Sequence, residues 1–177
     1  DLYVCLRPVL SIPGAGGRYE GVDLVIVREN SEDLYAGVEF EEGSEGAAKL
    51  ISLCAEEGAG TIRPDSGISV KPISITGSDR IVRYAFDYAV KHGRSKVTAA
   101  HKANIMKHSD GLFLKVARDV AAAEPGVVIG VAVYEVAGDG VKAQFLKMIG
   151  HLPFPHDVAV PIHFVDHVVE QHLVGNG

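Results

Sequence analysis

Cysteine is scarce in this chain of 177 residues, and so are the features that mark secreted and membrane proteins. The two cysteines, Cys5 and Cys54, are too few for a disulfide framework, which favours a reducing cytoplasm. No hydrophobic run approaches the roughly 20 residues of a membrane span, so no membrane partner is expected. The N-terminus lacks the basic, apolar and small-residue pattern of a secretory signal.

Positive charge is also in deficit. The chain has 17 Lys and Arg against 23 Asp and Glu, a net charge of −6, which argues against nucleic acid as the main partner. Its 47% hydrophobic and 23% charged residues are typical of a globular protein of one domain or slightly more. Because the sequence opens on Asp1 without methionine and ends at Gly177 where a helix cap would stand, we expect a piece of something longer.

Apolar patterning predicts strands that alternate with helices. The apolar runs favour strands, and spacing of three and four residues favours helices that Ser78 and Ser109 would cap. The predicted strands are residues 1–9, 22–27, 96–100, 127–133 and 158–164, with an extended segment over 61–75 and helices over 47–57, 78–92, 109–124 and 141–149. This order predicts an α/β fold with some parallel pairing.

Two arginines, Arg7 and Arg28, follow apolar runs that we predict to be strands. A guanidinium can hold a carboxylate through two parallel hydrogen bonds, and ligands often bind at strand ends in α/β sheets. If the two strands are neighbours, the arginines could converge on one carboxylate ligand. Two unrelated surface arginines would give the same sequence pattern.

Tyr35 and Lys102 are candidates for proton transfer. A phenol near a cation can protonate a carbanion, and a partly buried lysine can lose its proton near neutral pH. His101 and Asn104 flank the lysine and could orient it or contact substrate. The alternatives are a loop aromatic for Tyr35, a solvated cation for Lys102 and a structural role for His101.

The tail carries possible metal ligands. Asp166 and Glu170 are four residues apart, so on a helix they would share a face and could bind Mg²⁺ or Mn²⁺. A solvated acidic face is the alternative. His163 and His167 have the same spacing, but no glutamate stands in a HExxH arrangement, so a zinc site is not favoured.

Three segments together resemble the β-decarboxylating dehydrogenase family, and within it the isocitrate dehydrogenases. They are residues 1–9 (DLYVCLRPV), residues 22–37 with RENSEDLYAG, and residues 97–114 with HKANIMK and SDGLF. Residues 67–72 (GISVKP) resemble the clasp of bacterial NADP-dependent members. Isopropylmalate dehydrogenases resemble the chain less, because their equivalents of RENSEDLYAG and HKAN differ.

The resemblance implies an α/β fold of the isocitrate/isopropylmalate dehydrogenase type. We expect a small α/β domain over residues 1–126 with a clasp over residues 40–75, and a divergent part of the large domain over residues 127–177. The clasp implies a homodimer. The family's N-terminal region and its later nucleotide-binding segment have no counterpart in this sequence.

The resemblance also implies roles. Arg7 and Arg28 would bind the carboxylates of isocitrate, and Asn104 would contact substrate or cofactor. Tyr35 would protonate the enolate left by decarboxylation. Lys102 would take part in removing the hydroxyl proton, reaching the site of the partner subunit. The implied reaction is oxidation of isocitrate by NAD or NADP, followed by loss of CO₂ to give 2-oxoglutarate.

The implied metal is Mg²⁺ or Mn²⁺, which would polarise the substrate hydroxyl. Asp139 aligns with one metal-binding aspartate of the family, and Asp166 and Glu170 fall where a GDxxSD pair would stand. Two other functions remain open. One is a non-catalytic dimerising or regulatory module that keeps the arginines and has no nucleotide site. The other is oxidation of isopropylmalate or homoisocitrate.

Overall fold

A computed structural model of the chain describes residues 3–15, 21–124, 126–133 and 157–161. The chain divides into two compact units, one of Asp1–Ser31 with Ile73–Gly177 and one of Glu32–Pro72. The elements of the first unit are β1 (Val4–Leu10), β2 (Asp23–Glu29), α2 (Ile75–Lys91), β5 (Lys96–His101), α3 (Asp110–Ala123), β6 (Val128–Val133) and β7 (Asp157–Pro161). Those of the second are a 3-10 helix (Asp33–Ala36), β3 (Glu39–Phe40), α1 (Glu45–Glu56) and β4 (Ile68–Ser69).

The first unit contains a five-stranded mixed sheet in the order β1-β2-β7-β5-β6. Strands β2, β7, β5 and β6 are parallel, and β1 pairs antiparallel with β2. Strands β2 and β5 occupy inner positions and contain apolar stretches. This pattern is typical of parallel strands, whose two faces are both buried. Every residue from Leu24 to Glu29 is buried.

Two helices cover one face of this sheet and form its main core. Alternate residues of β2 and β5 point towards α2 and α3, whose apolar residues recur every three or four positions. The buried residues of this core are Val25, Val27, Ile81, Val82, Ala85, Phe86, Ala89, Val97, Ala99, Phe113, Val116, Ala117 and Val120. The opposite face of β2 carries Leu24 and Ile26, which pack with Val9 and Val22.

The second unit is built from a short antiparallel pair, β3 and β4, and helix α1. Ser44 begins the helix, since its side chain accepts a 3.1 Å hydrogen bond from the backbone N–H of Ala47. The Phe40 ring lies directly over Gly46. A Cβ added at this glycine would stand 2.5 Å from Phe40 Cδ1, so a larger residue would displace the ring.

The predicted α/β alternation and parallel pairing are confirmed. Ser78 as the helix cap is wrong, because Ser74 caps α2 through a 2.9 Å bond from the N–H of Gly77 and Ser78 is buried inside the helix. Ser109 precedes α3, but its side chain makes no capping bond. Of the extended segment 61–75, only Ile68–Ser69 is a strand.

Some predictions concern residues that the structure does not describe. The helix over residues 141–149 lies outside the described residues, as does the end of the strand predicted over 158–164 beyond Pro161. The domain boundary at residue 126 stays a prediction, and so does the clasp over residues 40–75, a range that overlaps the second unit.

Candidate active site

The carboxyl ends of β2 and β5 meet at one edge of the sheet, separated only by β7. Ile26 and Thr98 both pair with Ala159, so β2 and β5 have matching registers on either side of β7. Arg28 stands two residues beyond Ile26, and Lys102 follows the end of β5. Two strand spacings correspond to about 10 Å. The sheet therefore gathers the charged residues of both motifs at the edge where α/β proteins usually bind ligands.

Arg7 and Arg28 share one face of the sheet. Arg28 pairs with Cys5 and Arg7 pairs with Ile26, which places the two arginines diagonally across the strand pair. Diagonal neighbours in an antiparallel pair are about 7–8 Å apart, within the span of one small polycarboxylate. Arg28 is 4% exposed, whereas Arg7 is half-buried, and its Nε donates a 3.3 Å hydrogen bond to Cys5 Sγ.

The prediction that both arginines stand at strand ends is wrong for Arg7. It is the middle residue of β1, which continues through Pro8 to Leu10. Proline is tolerated there because β1 is an edge strand and needs no hydrogen bond from that nitrogen. Because β1 and β2 are antiparallel, residues at their carboxyl ends would lie far apart. The diagonal register, rather than a shared strand end, brings the arginines together.

A second charged group at this edge comprises Glu29, Ser31 and Arg80. Glu29 Oε2 accepts a 2.8 Å hydrogen bond from the backbone N–H of Ser31, and the Ser31 hydroxyl donates to Oε1. Arg80 of α2 reaches Ser31 Oγ at 2.5 Å and Glu29 Oε1 at 3.4 Å, and its guanidinium stacks 4.6 Å from the Tyr3 ring centroid. This network ties α2 to the chain leaving β2. Sequence reasoning missed it, although a glutamate after a buried apolar run was a signal.

Two side chains fix the backbone at Lys102. Asp110, at the start of α3, accepts a 2.6 Å hydrogen bond from the backbone N–H of Lys102. His101 Nδ1 accepts a 2.9 Å hydrogen bond from the N–H of Ala103. Both acceptors are 2% exposed, so solvent hardly competes for these bonds. The loop that carries Lys102 is thus anchored in the core.

The turn after Lys102 closes on the carbonyl of that residue. The backbone N–H groups of Ile105 and Met106 both donate to Lys102 O at 2.9 Å. Asn104 lies in this turn and is exposed, whereas Lys102 is half-buried. Both predicted residues therefore stand on one short, internally bonded loop at the sheet edge.

His101 is held neutral. Burial lowers its pKa from the ordinary 6.5, the Asp110 carboxylate raises it in part, and the Arg118 charge lowers it again. Since Nδ1 accepts a hydrogen bond, the ring proton of the neutral form resides on Nε2. That nitrogen is buried and has no hydrogen-bond partner within the part of the chain that the structure describes. The hydrogen bond to His101 therefore helps to orient the loop that carries Lys102.

Tyr35 belongs to the second unit, on the 3-10 helix Asp33–Ala36. The residue is 56% exposed. Gly37, with φ 65°, ends the turn, and its N–H donates a 3.3 Å bond to Leu34 O. Asp33 begins the turn with a positive φ of 63° and is 2% exposed.

The remaining predicted residues fall outside the described parts of the chain. These are Asp139, Asp166 and Glu170, together with His163 and His167, for which a zinc site was not favoured. Across the described ranges, no cluster of three or more His, Cys, Asp or Glu side chains could hold a metal ion. Nor is any helix there both long and apolar enough to cross a membrane.

Comparison with known proteins identifies the family of this chain. The family model for isocitrate/isopropylmalate dehydrogenase matches residues 1–152. A Staphylococcus aureus protein named isocitrate dehydrogenase (NADP) is 46% identical over 132 residues, covering 71% of this chain and 31% of that protein. A Helicobacter pylori protein of the same name is 50% identical over 120 residues, covering 65% and 28% respectively.

A solved structure agrees with the sequence comparisons. The crystal structure of isocitrate dehydrogenase from Methylococcus capsulatus matches with a TM-score of 0.72 at 32% identity, covering 95% of this chain and 42% of that chain. The chain spans about a third of the length of the curated relatives it matches. On the extent of these matches and on its mixed α/β sheet, the chain belongs to the isocitrate/isopropylmalate dehydrogenase family.

Proposed function

We infer that the chain binds isocitrate and takes part in its oxidative decarboxylation to 2-oxoglutarate with NADP as oxidant. The observation that carries this proposal is the diagonal placement of Arg7 and Arg28 on one face of the sheet. Two arginines at diagonal positions, whose backbones are about 7–8 Å apart, suit a ligand with more than one carboxylate. The names of the relatives support isocitrate as that ligand and NADP as the oxidant.

The burial of Arg28 favours tight binding of a carboxylate. At 4% exposure its guanidinium is largely removed from water, so an anion at this site meets less competition from solvent. Arg7 is half-buried and could adjust to a second carboxylate. A planar guanidinium that donates two parallel hydrogen bonds also fixes the orientation of the ligand.

Lys102 and Tyr35 would move the two protons of the reaction. NADP⁺, when bound, would supply the oxidant that accepts the hydride from the hydroxyl-bearing carbon. Lys102, reaching the site of the partner subunit, would take the hydroxyl proton. Loss of CO₂ then leaves an enolate, and Tyr35 delivers a proton to its carbon. The anchored backbone of Lys102 supports this role, since proton transfer requires a positioned group.

Divalent metal, homodimer and cytoplasmic location complete the proposal. Mg²⁺ or Mn²⁺ would polarise the substrate hydroxyl, with Asp139, Asp166 and Glu170 as its proposed ligands. These residues lie outside the described parts of the chain. The homodimer rests on the likeness of residues 67–72 to a clasp, and the cytoplasm on the two free cysteines.

Calorimetric titration of the purified chain tests this function. Isocitrate and 3-isopropylmalate are titrated separately, each with and without Mn²⁺. Isocitrate binding strengthened by Mn²⁺ supports the proposal. Preference for 3-isopropylmalate would overturn the substrate assignment. Absence of binding by either compound would overturn the catalytic role of this chain and favour a non-catalytic dimerising module.

A further inference from the structure

Asp33 adopts a backbone conformation that non-glycine residues rarely use. Its φ of 63° is the only positive value at a non-glycine position within the described residues. Aspartate and asparagine tolerate this left-handed region better than other side chains, because their short polar groups can bond to the local backbone. Such outliers persist where surrounding contacts enforce them, and they cluster at functional sites.

The contacts of Asp33 engage both carboxylate oxygens and the backbone nitrogen. Oδ1 accepts a 2.6 Å hydrogen bond from the N–H of Leu34, and Oδ2 forms a 2.8 Å ion pair with Lys71 Nζ. The N–H of Asp33 donates a 3.0 Å hydrogen bond to Pro72 O. The turn is therefore attached to residues 71–72, which are distant from it in sequence.

The ion pair is shielded from solvent. The side chain of Asp33 is 2% exposed and that of Lys71 is 18% exposed. A charge pair in this environment is screened far less than a surface pair, and loss of one partner leaves the other uncompensated. The same unit offers a contrast in Glu45 and Lys49, whose 2.6 Å pair has side chains 83% and 74% exposed.

We propose that Asp33 and Lys71 are positioning residues that set the location of the Tyr35 phenol. Tyr35 follows Asp33 by two residues on the same 3-10 helix, so the strained turn determines where its side chain leaves the backbone. This inference rests on the proposed function, in which Tyr35 donates a proton to the enolate carbon. An error of about 1 Å in the position of such a group can cost a hundredfold in rate.

The variants are chosen to separate charge from backbone conformation. Asp33→Asn tolerates the positive φ and keeps an oxygen for the Leu34 N–H, but it removes the charge that Lys71 meets. Lys71→Gln removes the other charge, and the double variant removes both. Glu45→Gln is the matched control, since it removes an exposed pair from the same unit.

The first readout is the environment of residue 35 itself. The chain contains six tyrosines, and incorporation of 3-fluorotyrosine gives each a ¹⁹F resonance, with that of residue 35 assigned through Tyr35→Phe. Asp33→Asn should shift or broaden this resonance and leave the other five in place, and Glu45→Gln should change none of the six. An unchanged residue 35 signal in Asp33→Asn would overturn the inference.

The second readout is proton transfer at carbon. Deuterium from solvent exchanges into the carbon next to the ketone of 2-oxoglutarate, which is the proton step assigned to Tyr35. We expect Asp33→Asn to slow this exchange by about 10–100-fold. The double variant should regain thermal stability without regaining the exchange rate. Recovery of both together would show a purely structural pair and would overturn the positioning role.

The two proposals fail in different ways. If Tyr35→Phe leaves the exchange rate unchanged, the acid role of Tyr35 in the proposed function fails, and the inference that depends on it fails too. If Tyr35→Phe abolishes exchange but Asp33→Asn does not slow it, the proposed function stands and the positioning role is overturned.

Discussion

The carboxylate of Asp110 accepts a 2.6 Å hydrogen bond from the backbone N–H of Lys102. Asp110 opens helix α3, whereas Lys102 follows strand β5, so this one bond closes the loop between the two elements. Because Asp110 stands at the start of the helix, the helix dipole also stabilises its negative charge. The position of the proposed base therefore depends on a residue that has no direct part in the reaction.

Replacement of Asp110 should loosen the Lys102 loop. Asp110→Ala removes the buried carboxylate that accepts the hydrogen bond from the Lys102 N–H, and we expect a loss of about 1–3 kcal/mol in the free energy of unfolding. Asp110→Asn keeps an oxygen and should cost less. Denaturant unfolding measures the stability of both variants. Asp119→Asn and Asp119→Ala are the controls, because Asp119 is exposed and pairs with Lys115 on the helix surface. Equal losses at the two positions would contradict the account.

The neutral His101 predicts a specific pH dependence. Its folded pKa lies below 6.5, so between these two values the unfolded chain binds more protons than the folded chain. Stability must then rise with pH in this window and fall as the pH is lowered below about 6.5. His101→Asn keeps an acceptor near the position of Nδ1 and does not titrate. The stability of this variant should therefore lack the dependence on pH that His101 contributes.

The comparison for His101 uses unfolding curves between pH 5 and pH 8, about the range in which histidine titrates. The difference in stability between the original chain and His101→Asn should narrow as the pH falls. A difference that is constant with pH would show that His101 has the same pKa in the folded and unfolded states. His101→Leu loses the acceptor as well, so it should be less stable than His101→Asn above pH 7 (about 1 kcal/mol for one hydrogen bond).

Two glycines in the first turns of helices should respond in opposite ways to alanine. A Cβ at Gly46 would lie 2.5 Å from Phe40 Cδ1, whereas nothing lies within 4 Å of a Cβ at Gly111. Gly46→Ala should therefore destabilise by about 1–3 kcal/mol through overpacking. Gly111→Ala should stabilise by about 0.4–1 kcal/mol, because alanine restricts the unfolded chain. Thermal unfolding of both variants provides the measurement, and equal signs would refute the packing described for Phe40.

Two arginines of helix α2 form a similar matched pair. Arg80 contacts Glu29 and Ser31, and Arg83 forms a 2.8 Å pair with Asp79 on the helix surface. Arg80→Met removes a cation that contacts the largely buried Glu29, and we expect a loss of about 1–3 kcal/mol in the free energy of unfolding. Arg83→Met should cost about 0.3–0.5 kcal/mol, as for exposed helix pairs. If urea unfolding shows the same loss of stability for both variants, the contacts of Arg80 with Glu29 and Ser31 stabilise the fold no more than a surface ion pair does.

The sequence predicted the elements of the first unit because periodicity depends on local pattern. The cap of α2 illustrates the limit, since Ser74 and Ser78 are both plausible and only the packed helix distinguishes them. The sequence indicated that Arg7 and Arg28 could converge if their strands were neighbours, and β1 and β2 do pair. Their diagonal relationship required the antiparallel register, which no local pattern reveals.

The contacts that support the site could not be predicted from the sequence, for a related reason. Glu29 and Arg80 are 51 residues apart, and their contact depends on how α2 packs on the sheet. The positive φ of Asp33 arises from its bonds to residues 71–72, again distant in sequence. Lys102 and His101 were identified from their motif, whereas the bond from Lys102 to Asp110 needed the loop to close.

The isocitrate affinity of Arg28→Ala, measured by calorimetry beside that of Arg83→Ala, shows whether this face of the sheet binds the substrate. Loss of a charged, buried hydrogen-bonding group should weaken binding by about 10–150-fold, whereas the exposed arginine on α2 should change affinity less than about twofold. Arg28→Lys should fall between the original chain and Arg28→Ala, because lysine keeps the charge without the paired hydrogen bonds. An Arg28→Ala variant that binds isocitrate as tightly as the original chain would contradict the assignment of this face as the substrate site.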